Sequence, residues 1–120
     1  MAHETAGITD RERAPFRYDI VGSFLRPASL KAARAAHAEG RIDGAELEGI
    51  ENEAIARLVE QERAAGLRAV TDGEFRRSYW HLDFFWGFEG INHVQMDHGY
   101  LFHGVETRAD SARVSGKIRF

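Results

Sequence analysis

The sequence predicts an α/β chain, one part of a larger parallel barrel or doubly wound sheet. Three observations predict it. Two short strand-like runs, 16–21 and 67–71, are separated by a long stretch of helical pattern, and strands joined by such crossovers pair in parallel. Each run leads into a glycine-containing loop, Gly22-Ser23-Phe24 and Asp72-Gly73-Glu74. In parallel sheets the loops after the strands hold ligands. The last stretch, Ala112 to Phe120, alternates like a strand and would leave an edge unpaired.

Residues 1–15 are polar, of mixed charge and without apolar period, and are expected to form a flexible leader. Phe16-Arg17-Tyr18-Asp19-Ile20-Val21 alternates and then turns apolar, as a strand does. Gly22 breaks it, and Pro27 can open a helix. Ser29 to Glu39 is alanine-rich and helical, with Gly40 as a C-terminal stop. Asp43 and Glu46 form a capping box for the next helix. Its apolar stripe is Leu47, Ile50, Ala54 and Leu58, widened by Ile55 and Val59. Glutamates 46, 48 and 51 near its start and Arg63 near its end suit the helix dipole. Gly66 ends it after about 30 Å. Leu67 to Thr71 reads as the second strand. After Trp86, glycines at 87, 90, 99 and 104 break the chain into short extended pieces around Val94, Met96, Tyr100, Phe102 and Val105.

Length and composition allow one ordinary domain: 120 residues, 43% hydrophobic and 29% charged. A net charge of -3 with scattered basic residues argues against a nucleic-acid partner. No run nears the ~18 apolar residues of a membrane span, and no apolar signal segment opens the chain. The expected location is the cytoplasm. There is no cysteine, which excludes disulfides, thiolate metal ligands and a cysteine nucleophile within these residues.

The densest polar stretch is Val70 to Trp86. Asp72-Gly73 there is a common turn pair, but it stands behind a strand-like run and ahead of Glu74-Phe75-Arg76-Arg77. Arg76 and Arg77 are expected to pair with acids and fix the loop. Gly22-Ser23 reads equally as a plain turn or as a ligand contact. Trp80, Phe84, Phe85, Trp86 and Phe88 are expected in the core or an interface. His93, His98 and His103 recur every five residues, a spacing with no fixed metal geometry in an extended region.

Taken together, Asp19-Ile20-Val21-Gly22-Ser23-Phe24-Leu25-Arg26-Pro27, Gln61-Glu62 before Gly66-Leu67, and Val70-Thr71-Asp72-Gly73-Glu74-Phe75-Arg76-Arg77 resemble the start of the cobalamin-independent methionine synthase catalytic barrel. The run Ser78 to Gly87 is similar to its short, single-barrel branch. The resemblance covers roughly residues 16–120. It implies the N-terminal part of a (β/α)8 TIM barrel, incomplete in this chain. It implies methyl transfer from a methylated folate to homocysteine or a related thiol amino acid. It also implies zinc, whose family ligands (His, Cys, Glu, Cys) are not in this chain.

By the same resemblance Val21, Gly22 and Ser23 match the segment that contacts the substrate carboxylate. Glu74 matches the glutamate that pairs with the ammonium group. The family has His-Gly-Glu where this chain has Asp72-Gly73-Glu74, which makes Asp72 a candidate for substrate choice. Other readings are a different thiol–alkyl transferase of the superfamily, such as the coenzyme M transferases, or a non-catalytic short homologue that binds an amino acid or assembles with itself. The chain alone is expected to be inactive and to self-associate.

Overall fold

The computed structural model describes residues 12–16 and 20–120. Most of the expected leader (1–11) and residues 17–19 of the first expected strand lie outside the described residues. The chain forms two compact units, residues 1–76 and 77–120.

The first unit is helical. Helix α1 spans Ala28–Ala38 and α2 spans Gly44–Ala64, within a residue or two of the expected bounds. The Asp43 side chain accepts from the Glu46 backbone N–H at 2.8 Å, as the capping box requires. Asp43→Ala is expected to lower the stability of this unit by about 1 kcal/mol. A shifted urea midpoint of the helical circular dichroism would show it; an unmoved midpoint would mean the cap contributes nothing.

The core is small: Leu30 from α1, Ala54 and Leu58 from α2, and Phe75 from the loop beyond. Phe24, Ile50 and Ile55 pack around it. Two acids share the buried side of α2, Glu51 and Glu62. At positions 51, 54, 58 and 62 they continue the stripe that Ala54 and Leu58 define.

The two expected parallel strands do not form among the described residues. Neither Ile20–Val21 nor 67–71 is in a strand, and one backbone bond, Phe24 N–H to Gly73 O at 3.1 Å, joins their loops. A strand is defined by a ladder to a neighbour, and one bond makes no ladder. Val21 and Leu25 are each 94% exposed, so this apolar edge is uncovered within the unit.

The second unit is an antiparallel ribbon with a short helix. Helix α3 covers Leu82–Trp86, β1 Glu89–Gln95, β2 Leu101–Phe102, β3 Val105–Glu106 and β4 Asp110–Arg119. Strand β1 pairs with β4 in the register Ile91↔Val114, His93↔Ala112 and Gln95↔Asp110. The register shifts between Glu89 and Ile91. There Gly90, at φ +81°, lets the backbone of Lys117 come within 2.6 Å of where a Cβ would stand. Strands β2 and β3 form a hairpin whose two turn residues, His103 and Gly104, both have positive φ, the type I′ pattern that matches strand twist. The expected terminal strand is therefore real, but its partner is antiparallel and local.

None of the five aromatics expected in the core or an interface is buried. Trp80 and Phe84 are largely exposed and Phe85 is 43% exposed, while Phe75 fills the core of the first unit. A five-residue helix with one ribbon beside it has too little surface to enclose them all.

Candidate functional site

The loop after α2 is built by its backbone. The carboxylate of buried Glu62 accepts from the Thr71 N–H at 3.2 Å. The Thr71 hydroxyl accepts from the Gly73 N–H at 3.1 Å, and the Asp72 carboxylate accepts from the Glu74 N–H at 2.9 Å. The last of these is the bond that makes Asp a turn residue. Gly73 has φ +66°, and a Cβ on it would stand 2.5 Å from Leu58 Cδ2 and 3.0 Å from the Phe75 ring. Only glycine fits both constraints. Glu74 has φ +57°, a left-handed conformation that costs a non-glycine residue about 1 kcal/mol. Such conformations persist where surrounding bonds hold them.

Those bonds come from two arginines. Arg26 donates to the Glu74 carbonyl at 2.7 Å and to the Phe75 carbonyl at 3.2 Å. Arg34, on α1, donates to the carbonyls of Phe75 (3.2 Å) and Arg76 (3.0 Å). Arg76 turns back to α2, pairing with Glu51 at 2.7 Å and bonding Asn52. Glu51 also meets Arg34 at 3.5 Å. The expected pairing of Arg76 with an acid is thus present, and the loop is held rigid from three sides.

The five residues expected to bind substrate gather in part. The Phe24–Gly73 bond sets Gly22-Ser23 beside the Asp72–Glu74 turn. Val21, Gly22, Ser23 and Asp72 are exposed and Glu74 is half-buried. One Asp72 oxygen is engaged in the turn itself. A cavity of about 660 Å³ opens nearby, lined by Phe24, Leu25, Ile50, Ala54 and Phe75 among others, and none of the five residues is among its lining. The clamp of Arg26, Arg34, Glu51 and Glu62 was not singled out from the sequence. Its signal was present: two acids lie on the apolar stripe of α2, and a buried acid needs a partner.

The second unit holds another polar cluster, centred on Asp110, whose side chain is 1% exposed. Its carboxylate accepts from Tyr79 Oη (2.9 Å), His93 Nε2 (2.6 Å), Gln95 Nε2 and Arg108 Nε (3.1 Å). Burial alone would raise its pKa, but the bonds from His93, Tyr79 and Gln95 and the charge of Arg108 outweigh this and hold it below the ordinary value. Tyr79 is pushed up, first by burial and then by its bond to Asp110 and the nearby negative charge. Asp83 accepts from the N–H groups of Ser78 and Tyr79 at 2.9 and 2.8 Å, fixing the turn that leads into α3.

The chain has relatives of known sequence and structure. YxjH of Bacillus subtilis, an uncharacterized protein, is 46% identical over 113 residues, covering 93% of this chain and 30% of its own length. A methionine synthase of Sulfolobus acidocaldarius is 33% identical over 107 residues, 84% of this chain and 29% of its own. A crystal structure from Listeria monocytogenes, described as a vitamin-B12 independent methionine synthase, superposes with TM-score 0.61 at 44% identity, over 68% of this chain and 25% of that one. No protein-family model matches the chain. The chain is similar to part of proteins of the cobalamin-independent methionine synthase family, and spans under a third of the length of these relatives.

Proposed function

We propose that the protein transfers a methyl group from a methylated folate to homocysteine or a related thiol, and that this chain supplies the amino-acid-binding part of a (β/α)8 barrel. The observation that carries the reading is the Phe24–Gly73 backbone bond, which seats Ser23 beside the Glu74 turn. Glu74 offers a carboxylate to an ammonium group. The Ser23 hydroxyl and the backbone N–H groups around it offer donors to a carboxylate. Grip on both ends of an amino acid leaves its side chain to point one way, which is the positioning a transfer reaction needs. The names of the Sulfolobus and Listeria proteins support the same activity class.

The residues present do not fit the family's zinc. The chain has no cysteine, and no three His, Cys, Asp or Glu side chains gather into a metal site among the described residues. His93 lies on β1 and His103 in the hairpin turn, so the five-residue spacing serves no common centre. In this reading the 120-residue chain binds but does not turn over, and its uncovered apolar edge at Val21 and Leu25 makes it self-associate. No helix among the described residues is long and apolar enough to cross a membrane.

Glu74→Gln is expected to weaken homocysteine binding by about tenfold or more, since a bond between charged groups contributes about 1.5–3 kcal/mol. Calorimetry on the full-length protein reads this directly. Unchanged affinity would remove Glu74 from the site.

A further inference from the structure

The Asp110 cluster contains an asymmetry that a purely structural latch lacks. The carboxylate is 1% exposed, whereas the His93 side chain that it binds is 50% exposed. The ring is nevertheless fixed twice. Asp110 holds Nε2 at 2.6 Å, and Trp86 stacks on its face at 4.1 Å with a 26° tilt. Trp86 is itself anchored by its indole N–H to the Ser111 carbonyl at 3.2 Å. Tyr79, Gln95 and Arg108 fill the remaining acceptor sites of the carboxylate, so the anchor cannot swing away. Of the groups around the ring, Asp110 and, across it, Arg108 and Tyr79 are charged or titratable; Gln95 and Trp86 are neutral.

A carboxylate at one ring nitrogen decides the tautomer. The proton sits on Nε2, facing Asp110, and the Nδ1 lone pair is left outward. Nδ1 has no partner among the described residues. This is how a base is oriented by a third group. We propose that His93 is a proton-transfer site and Asp110 its positioning residue, with Nδ1 taking the proton of a thiol-bearing ligand. A thiol is the fitting acid because thiols as a class are far stronger acids than aliphatic hydroxyls, and the thiolate is the nucleophile a transfer reaction needs. In the step the S–H bond breaks, its electron pair stays on sulfur, and an N–H bond forms at Nδ1. The imidazolium is held by the Asp110 carboxylate.

The test uses the intact chain and three readings. Nitrogen-15 imidazole spectra should show neutral His93 carrying its proton on Nε2; a proton on Nδ1 overturns the dyad. Diethyl pyrocarbonate should modify His93 on the order of fivefold faster than His98, although His98 is 86% exposed. In that reaction the imidazole nitrogen bonds the carbonyl carbon, ethyl carbonate leaves and falls to carbon dioxide and ethanol, and the ring proton is lost. Rates that follow exposure, with His98 faster, overturn the proposal. Homocysteine should move the His93 signals and methionine, which has no thiol proton, should not. Equal response, or none to either, overturns the thiol assignment. The first two outcomes are independent of the Glu74 affinity test, while the thiol assignment rests on the proposed thiol substrate, so the dyad and the amino-acid site can fail separately.

Discussion

Replacing Phe75 with alanine is expected to remove about 3–5 kcal/mol from the first unit, the largest effect of any single truncation there. Its ring is 2% exposed and is one of the two largest fully buried side chains. It packs with Leu30, Ala54 and Leu58, the other members of the core cluster among the described residues. A core of four residues has little to collapse with, so the cavity term adds to the transfer term. The backbone of the same residue receives both arginines of the clamp, so loosening the ring also loosens the turn that presents Glu74. Domains of this size are stable by roughly 5–15 kcal/mol, and the loss is a large share of that. Both long helices lie in this unit, whereas Trp80 and Trp86 lie in the other, so urea melts should be followed by helical circular dichroism rather than tryptophan fluorescence. Phe75→Leu, which keeps most of the volume, is expected to cost about 1.5 kcal/mol or less. Equal midpoints for wild type and the alanine variant would show that the ring is not the core.

The two helices were legible because each is written twice, in the apolar period and in its ends. Asp43 caps and Gly66 stops α2 as the residues alone imply, and Ala54 and Leu58 are buried where the stripe puts them. The loop was legible as an Asp72-Gly73 turn, but its clamp was not. Its clamp joins Arg26 and Arg34 to carbonyls some forty to fifty positions away, and backbone acceptors leave no trace in side-chain pattern. The parallel strands were inferred from local composition, but a strand needs a ladder to a neighbour, and 67–71 finds none among the described residues.

Strand β4 was expected, but its antiparallel pairing with β1 was hidden for a different reason. Glu89-Gly90-Ile91-Asn92-His93-Val94-Gln95 carries a bulge and polar residues on both faces, so its alternation is broken. Asp110 draws partners from positions 79, 93, 95 and 108. No period relates those positions; only the fold brings them to one carboxylate.

Asp110→Asn is expected to cost the second unit about 3 kcal/mol, within the range for breaking a buried, charged network. The carboxylate accepts two donors on each oxygen: His93 and Gln95 on Oδ1, Tyr79 and Arg108 on Oδ2. An amide nitrogen in either place meets two donors. If it replaces Oδ2, the Tyr79 hydroxyl can turn to accept, but Arg108 has no acceptor to offer. If it replaces Oδ1, Gln95 can flip its amide and neutral His93 can exchange tautomer, at the loss of the charge that Arg108 needs. Acid should do to the wild type what the amide does to the variant. The folded pKa of Asp110 lies below that of the unfolded chain, so its contribution is complete above about pH 4 and is lost as pH falls through the lower folded value. Tyr79 has the opposite displacement. Its neutral form is favoured in the fold, so its contribution is complete below about pH 10 and is lost as pH rises through the higher folded value. Tryptophan fluorescence, with Trp86 stacked on His93, reports this unit. Its urea midpoint should be flat between those limits in the wild type, fall on the acid side, and be already lowered and less acid-sensitive in Asp110→Asn. A variant as stable as wild type at neutral pH would show that the four bonds are incidental.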